Sequence, residues 1–251
     1  MRVLSKIFAV AVVATLTVTG AGCGGSSEPP PKPIERKFDE IHVARFTLEQ
    51  KANIVKARND WEVSRMENAQ AEAQLSELAN QITVVQNEHK SAKLTVESAV
   101  TTKKAADASA DTNRINAATK DLHTAELQLR AAEARVKYFE AFRNYVKRNQ
   151  LYTAETMYWR EAQFELAKAQ LAQQNNIAPK GVSYEWYPSQ EAERGKRSAQ
   201  RRSAVEAERA KAQSARDKWL QLQVSADQAS GRPSSLPDPM APADAPASPA
   251  S

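Results

Sequence analysis

The middle of this chain lacks glycine and proline. All 7 glycines lie at or before residue 25 or at or after residue 181, and all 12 prolines lie at or before residue 33 or at or after residue 179. Because these residues supply most tight-turn geometry, the interval 34–178 excludes a compact domain rich in turns. Aromatic residues make up only 6% of the chain, which argues against a thick core. These absences favour long helices.

Residues that build enzyme sites are also scarce. The chain has one cysteine and 3 histidines, His42, His89 and His123, which lie too far apart in sequence to form a local metal pair. It contains no glycine-rich phosphate-binding loop and no His-Glu-x-x-His pattern. Its carboxylates alternate with Lys and Arg in the manner of solvated helix faces. We therefore predict a non-enzymatic protein with no catalytic residue, no metal site and no cofactor.

The N-terminus carries the pattern of an export signal. A basic start at residues 1–6 precedes an apolar run at residues 7–18, which is too short to span a bilayer. The sequence Gly20-Ala21-Gly22-Cys23 then resembles the lipobox of bacterial lipoproteins, with Gly20 where an aliphatic residue is usual. The resemblance implies a signal peptide of residues 1–22 and a lipid on Cys23. Ordinary cleavage after Ala21 is the alternative.

The same resemblance implies a location and a first partner. Gly24, rather than Asp, after the cysteine implies delivery to the outer membrane, so the chain is expected to be membrane-bound through its lipid and to face the periplasm. Loss of residues 1–22 removes Arg2 and Lys6 and lowers the formal charge from +5 to +3. A mildly basic protein held in the envelope has little access to nucleic acid, so we predict no nucleic-acid partner.

Both ends of the chain are predicted to lack regular structure. Residues 23–37 combine Gly and Ser with four prolines, which indicates a flexible and then semi-rigid tether. Residues 230–251 are rich in Pro, Ala and Ser and have too few apolar residues to order themselves. We therefore expect a disordered tail from residue 230.

Two heptad ladders predict an antiparallel coiled-coil hairpin over residues 38–176. Steps of three and four from Ile54 reach Ala99, and a second ladder runs from Ile115 to Val146. The ladders are out of phase, so the tip is placed at about 101–112, near Asp107. The polar or charged positions on them are Ser64, Asn68, His89 and Arg143.

The predicted register and an alternative fold follow from these ladders. Folding back at Asp107 pairs His89 with Ala125 and Leu75 with Phe139, and many layers then oppose a large residue to a small one. If residues 101–112 stay helical instead, the two segments form one rod that must associate in parallel. The rod would be a homo-oligomer, so the sequence leaves a homo-oligomer open.

A third helix is predicted where the aromatic residues concentrate. Eleven of the sixteen aromatics lie between residues 138 and 187 and occupy more than one helix face. A loop at 177–188 is expected to lead into a helix at 189–229 that packs at the base of the hairpin. The fold class is therefore all-α. Apolar or small residues at helical spacing in the third helix are Val205, Ala212, Ala215, Trp219 and Leu222.

A basic cluster opens the predicted third helix. Five cations fall within nine residues, close to a helix N-terminus, where positive charge is unfavourable. This placement suggests a patch that binds anionic groups or a partner. The alternative is a solvated face neutralised by neighbouring glutamates. The patch consists of Arg194, Lys196, Arg197, Arg201 and Arg202.

These features predict an outer-membrane-anchored lipoprotein that acts as a coiled-coil scaffold, spacer or adaptor in the cell envelope. Its expected partner beyond the membrane is an envelope protein or peptidoglycan. A holdase chaperone that grips unfolded exported chains between basic helical arms is the alternative. Apart from the lipobox, the sequence resembles no particular family; the hairpin is similar to the arms of periplasmic adaptor and efflux proteins in general shape only.

Overall fold

The computed structural model describes residues 29–241, and this part of the chain is all-α with no strand. A short 3₁₀ helix at Glu40–His42 precedes three long helices, which are α1 (Ala52–Ala108), α2 (Thr112–Gln174) and α3 (Trp186–Ser230). The predicted signal peptide, Cys23 and the tail beyond residue 241 lie outside the described residues. The predicted fold class is confirmed: α1 and α2 form a hairpin, and α3 packs on it.

The hairpin turns in three residues, 109–111. Ala110 has a φ of 55°, a left-handed conformation that reverses the chain. Asp111 then caps α2, because its side chain accepts hydrogen bonds from the N–H groups of Asn113 at 2.9 Å and Arg114 at 3.3 Å. The turn falls inside the predicted tip at 101–112, but α1 remains helical through Ala108.

The predicted register is wrong by about one heptad. His89 was expected opposite Ala125, whereas its Nε2 lies 3.8 Å from Glu133 Oε1 in the structure. Its neighbour Glu88 forms an ion pair with Arg135, and Asn68 Oδ1 accepts a hydrogen bond from Thr153 at 3.2 Å. A shift of seven residues preserves every heptad match, so the ladders alone do not distinguish the two registers.

The ladder of α1 describes its buried face well. Seven of the eight buried α1 residues lie on it, including the polar Ser64 and Asn68, while Ala106 is the exception. On the second ladder every position from Ile115 to Phe139 is at least partly buried, but its charged member Arg143 is exposed and Phe142 is buried in its place. Of the four polar or charged ladder positions, Ser64 and Asn68 are therefore the buried ones, both on α1. Off the ladder, Arg135 of α2 is also buried, where it pairs with Glu88.

The hairpin begins later than the predicted residue 38, because α1 starts at Ala52. Thr47 and Gln50 form a capping box before it: the Thr47 N–H donates to Gln50 Oε1 at 3.0 Å, and the Gln50 N–H donates to Thr47 Oγ1 at 3.4 Å. Residues 34–46, which we call the base strap, instead pack against the bundle through Ile34, Phe38 and Val43, all buried.

The third helix covers far more than the base of the hairpin. It runs antiparallel to α2, with Ser198 hydrogen-bonded to Thr156 at 2.9 Å and the Ala229 carbonyl 3.4 Å from Thr124 Oγ1. Only residues 112–123 of α2, a length of about 18 Å, extend beyond it. The apolar spacing of α3 continues to Ala226, which is buried, and this explains the long contact.

Within the predicted disordered tail of residues 230–251, the described residues 231–241 are instead packed on the bundle. Gly231 ends α3 with a φ of 68°, and the chain turns back toward the bundle. Leu236 and Met240 pack against the core formed by Tyr138, Phe142 and Trp219. Residues 236–240, which we call the tail segment, are thus held on the bundle by contacts with residues that are distant in sequence.

Candidate functional site

The five cations of the predicted anion patch do not share one surface. Arg194 and Arg201 are buried against α2, whereas the other three are exposed. Two of the exposed cations pair along their own helix, so little of the expected positive charge is available on the surface. These pairs are Arg197 with Glu193 and, at 3.2 Å, Arg202 with Glu206; the remaining exposed cation is Lys196.

The two buried arginines face one buried carboxylate on α2. Arg194 Nη1 lies 3.7 Å from Glu155 Oε1, and Arg201 Nε lies 3.5 Å from Glu155 Oε2. Glu155 is only 1% exposed. Burial lowers the pKa of Arg194, and the nearby Glu155 charge opposes that shift. This trio forms a charged layer inside the bundle rather than a surface for anions.

The sequence signal for this layer is helical spacing, although the residues at the spaced positions are polar or charged rather than apolar. Stepping back from Val205 by four, three and four residues reaches Arg201, Ser198 and Arg194, the same spacing that identifies the buried face further along α3. All three are buried. Their charge and polarity point to the surface when read alone, and the partner carboxylate is about forty residues away. The ladder rather than the charge predicts their position.

A second arrangement, at the base, clamps the backbone of one strap residue. The N–H of Phe38 donates to Glu165 Oε2 at 2.5 Å, and the carbonyl of Phe38 accepts from Lys168 Nζ at 2.8 Å. Glu165 and Lys168 are themselves an ion pair at 2.8 Å and are both about 4% exposed at their side chains. One buried ion pair thus satisfies both backbone groups of Phe38.

The ring of Phe38 is enclosed by aromatic residues of the loop and of α3. It makes an edge contact with Tyr187 at 5.8 Å between centroids and a tilted contact with Tyr184 at 6.2 Å. Next to it, Lys37 forms a 2.9 Å ion pair with Glu161, and this hydrogen-bonded partner raises the pKa of Lys37. The base strap is therefore held by backbone, ring and charge contacts together.

The third arrangement holds the tail segment. Asp238 Oδ1 accepts a hydrogen bond from the Tyr138 hydroxyl at 2.7 Å, and Asp238 Oδ2 accepts one from Arg216 Nε at 2.6 Å. Burial, followed by the hydrogen bond to this carboxylate, raises the pKa of Tyr138 well above its ordinary value. Two donors from different helices thus converge on a single carboxylate.

Other side chains around that carboxylate complete the surface on which the tail segment lies, which we call the groove. Trp219 stacks on Tyr138 with 5.4 Å between centroids and 10° between planes. Arg135 lies over the Trp219 ring at 5.6 Å, and its Nη2 donates to the carbonyl of Pro237 at 3.4 Å. The groove therefore offers cationic and hydroxyl donors above an aromatic floor, a combination suited to an acidic, extended peptide.

The remaining predicted features give no further site in residues 29–241. His89 is partly buried beside Glu133, and His123 is exposed. No group of three His, Cys, Asp or Glu side chains in this range is placed to hold a metal ion. Cys23, the predicted lipidation site, lies outside it. None of the described helices combines the length and the apolar character that crossing a bilayer requires.

Comparisons with known proteins do not place this chain in a family. Neither the protein-family models, nor the curated proteins, nor the solved structures contain a match to this chain.

Proposed function

We propose that this chain is a lipid-anchored protein of the bacterial cell envelope that acts as a non-enzymatic scaffold or spacer. The observation that carries the proposal is the long hairpin. Its helix α2 has 63 residues and a length of about 95 Å, and both α1 and α3 pack along most of that length. A long hairpin of this kind holds its base and its tip far apart. The predicted export signal and the lipobox at Cys23 indicate that the base is the end attached to a membrane.

The position of the base strap supports this arrangement. Cys23 is eleven residues before Ile34, so a fully extended chain allows at most about 40 Å between the two residues. The tip at residues 109–111 lies at the far end of α1, whose 57 residues measure about 85 Å. A lipid on Cys23 would therefore hold the base close to the membrane and leave the tip free to reach an envelope protein or peptidoglycan.

Lipidation is tested by metabolic labelling with an alkyne analogue of palmitate in a bacterial host with lipoprotein processing. We expect label on the unchanged chain and none on Cys23→Ser. A matched control, Cys23→Ser with Ser26→Cys, keeps one cysteine but moves it away from the lipobox, and it should also remain unlabelled. An unlabelled wild-type chain whose mature N-terminus is Gly22 would show ordinary cleavage after Ala21 and would overturn the anchor.

The spacer role is tested by photo-crosslinking in cells from a residue at the tip, Ala110, compared with an exposed residue on α3, Arg209. We expect a defined adduct from Ala110 alone. Removing one heptad from each hairpin helix shortens the tip by about 10 Å while keeping the ladders in phase. That deletion should abolish the adduct. An adduct that survives shortening, or no adduct at all, would contradict a function based on reach.

The chaperone alternative has one observation in its favour. Several large apolar side chains of α1 are exposed, among them Val63 at 49%, Met66 at 60% and Leu94 at 65%. A holdase would suppress aggregation of a thermally unfolded client protein, followed by light scattering, and Met66→Lys with Leu94→Lys would weaken that effect. If the unchanged chain has no effect on the client, this alternative is removed.

A further inference from the structure

The tail segment sits in its groove as a bound peptide would. It has no regular secondary structure, and its contacts with the bundle are to residues about 20 to 100 positions away in sequence. Leu236 and Met240 supply apolar anchors on either side of Asp238, whose two carboxylate oxygens each accept a hydrogen bond from a different helix. This is the pattern of anchor residues flanking one specific polar contact that recognition grooves use.

The prolines of the segment fit this interpretation. Pro237 and Pro239 bracket the aspartate, and neither has an N–H that would need a partner in the groove. Their fixed φ angles lower the conformational entropy lost on binding, so a short segment can be held without secondary structure. Within the segment, Asp238 Oδ1 also accepts from the Met240 N–H at 3.0 Å, which presents the carboxylate in a local turn.

The groove residues match this ligand chemically. A tyrosine hydroxyl and an arginine Nε converge on the carboxylate at 2.7 and 2.6 Å. Arg135 reaches the carbonyl of the preceding proline, and Trp219 lies beneath, 1% exposed. Arg135 is held in place by its ion pair with Glu88 of α1. Side chains of α2 and α3 therefore form the groove, and α1 contributes Glu88, which holds Arg135 in position.

We infer that this groove is a peptide-binding site for a protein segment with an aspartate between two prolines and an apolar residue on each side. In the isolated chain the site is occupied by the chain's own residues 236–240, which act as a built-in competitor. A covalently linked segment has a high effective concentration, of order mM for a short linker, so an outside segment gains access only when the tail is released. The inference does not depend on lipidation of Cys23.

The test uses the full chain and a fluorescein-labelled peptide with the sequence of residues 234–241. Asp238→Ala weakens the tail's own hold and leaves the groove residues unchanged. We expect the peptide to bind this variant, by fluorescence anisotropy, at least tenfold more tightly than it binds the unchanged chain. Asp121→Ala, which removes an exposed aspartate of α2, is the matched control and should behave like the unchanged chain.

Two further comparisons establish specificity and guard against a folding defect. A peptide with Asn in place of the aspartate should bind at least tenfold more weakly, as should the original peptide to a chain that carries Asp238→Ala and Arg216→Ala together. Leu236→Ser with Met240→Ser provides a second way to release the tail, and circular dichroism checks that each variant is helical. The inference is overturned if the variants with a released tail are folded but do not bind the peptide. It is also overturned if replacing the peptide's aspartate, or Arg216, leaves the affinity unchanged.

Discussion

Glu155 is the residue on which the charged layer inside the bundle depends. It is the carboxylate that faces both Arg194 and Arg201, and all three are at least 94% buried. Replacing Glu155 by Gln keeps the shape of the side chain and removes its charge, which leaves two buried cations without their counter-ion. Breaking a buried ion pair in this way costs about 3–5 kcal/mol of unfolding free energy.

Urea denaturation followed by circular dichroism measures that cost. The control is Glu206→Gln, which breaks the exposed pair with Arg202 and should change the unfolding free energy by no more than about 0.5 kcal/mol. Similar stabilities for the two variants would contradict a stabilising role for the layer. Glu155 could not be selected from sequence, because nothing in its neighbours distinguishes it from the solvated glutamates of α2.

Glu165 gives the stability a dependence on pH. Burial raises the pKa of this carboxyl above its ordinary 4.5, against the opposing effects of Lys168 and the Phe38 N–H. The folded chain therefore holds the proton more tightly than the unfolded chain does. The contribution of this group to the unfolding free energy is complete below pH 4.5 and is lost as the pH rises through the raised pKa.

Unfolding free energies measured across that pH window for the unchanged chain and for Glu165→Gln test this assignment. We expect the stability difference between them to fall as the pH rises, because the variant lacks the titrating group. Glu49→Gln, which removes an exposed carboxylate, should keep the slope of the unchanged chain. Parallel pH profiles for Glu165→Gln and the unchanged chain would show that Glu165 does not produce the effect.

The tip is the element with a local backbone cost. Ala110 occupies the left-handed region with a φ of 55°, which costs an L-residue about 1–2 kcal/mol. Ala110→Gly relieves that cost. It also raises the conformational entropy of the unfolded chain, which opposes folding by about 0.4–1 kcal/mol, so we expect a net stabilisation of about 0.5 kcal/mol.

Ala105→Gly, in the last turns of α1, is the comparison for this substitution. There the glycine has a helical backbone and gains nothing from its freedom, so the variant should lose about 1 kcal/mol. Thermal unfolding of both variants shows the two signs directly. A loss of stability in Ala110→Gly comparable to that in Ala105→Gly would mean that the turn is not formed as described.

How far the sequence predicts these elements depends on which interaction decides them. Helix existence, the buried face of α1 and the need for a third helix follow from spacing and from the absence of Gly and Pro. The register does not, because the ladder repeats every seven residues, and Ala110 gives none of the usual Gly or Asn signal for a reversal. The groove for Asp238 joins Tyr138 and Arg216, whose proximity only the folded chain creates.

At the scale of the whole molecule, the hairpin and the alternative continuous rod differ in the distance between residues on the two halves of the chain. Spin labels at the exposed positions Gln74 and Lys147, in a Cys23→Ser background, should lie within about 30 Å in the hairpin, since packed helix axes are 8–10 Å apart. A continuous helix would place them about 110 Å apart. Dilution with unlabelled chain removes distances between molecules.

The same labels also test the register. A second pair at Gln74 and Glu140, which the sequence-based register would place opposite each other, should give the longer of the two distances. The reverse order would support the register centred on Asp107 and contradict the ion pair between Glu88 and Arg135.

The early end of α3 has a mechanical consequence. Along most of its length the hairpin is braced by a third helix, but beyond Thr124 only two helices continue. Bending stiffness rises steeply with the thickness of a beam, so thermal bending should concentrate in the final 18 Å or so of the hairpin. The molecule therefore combines a stiff shaft, which fixes a distance, with a compliant end that can adjust its angle to whatever it meets.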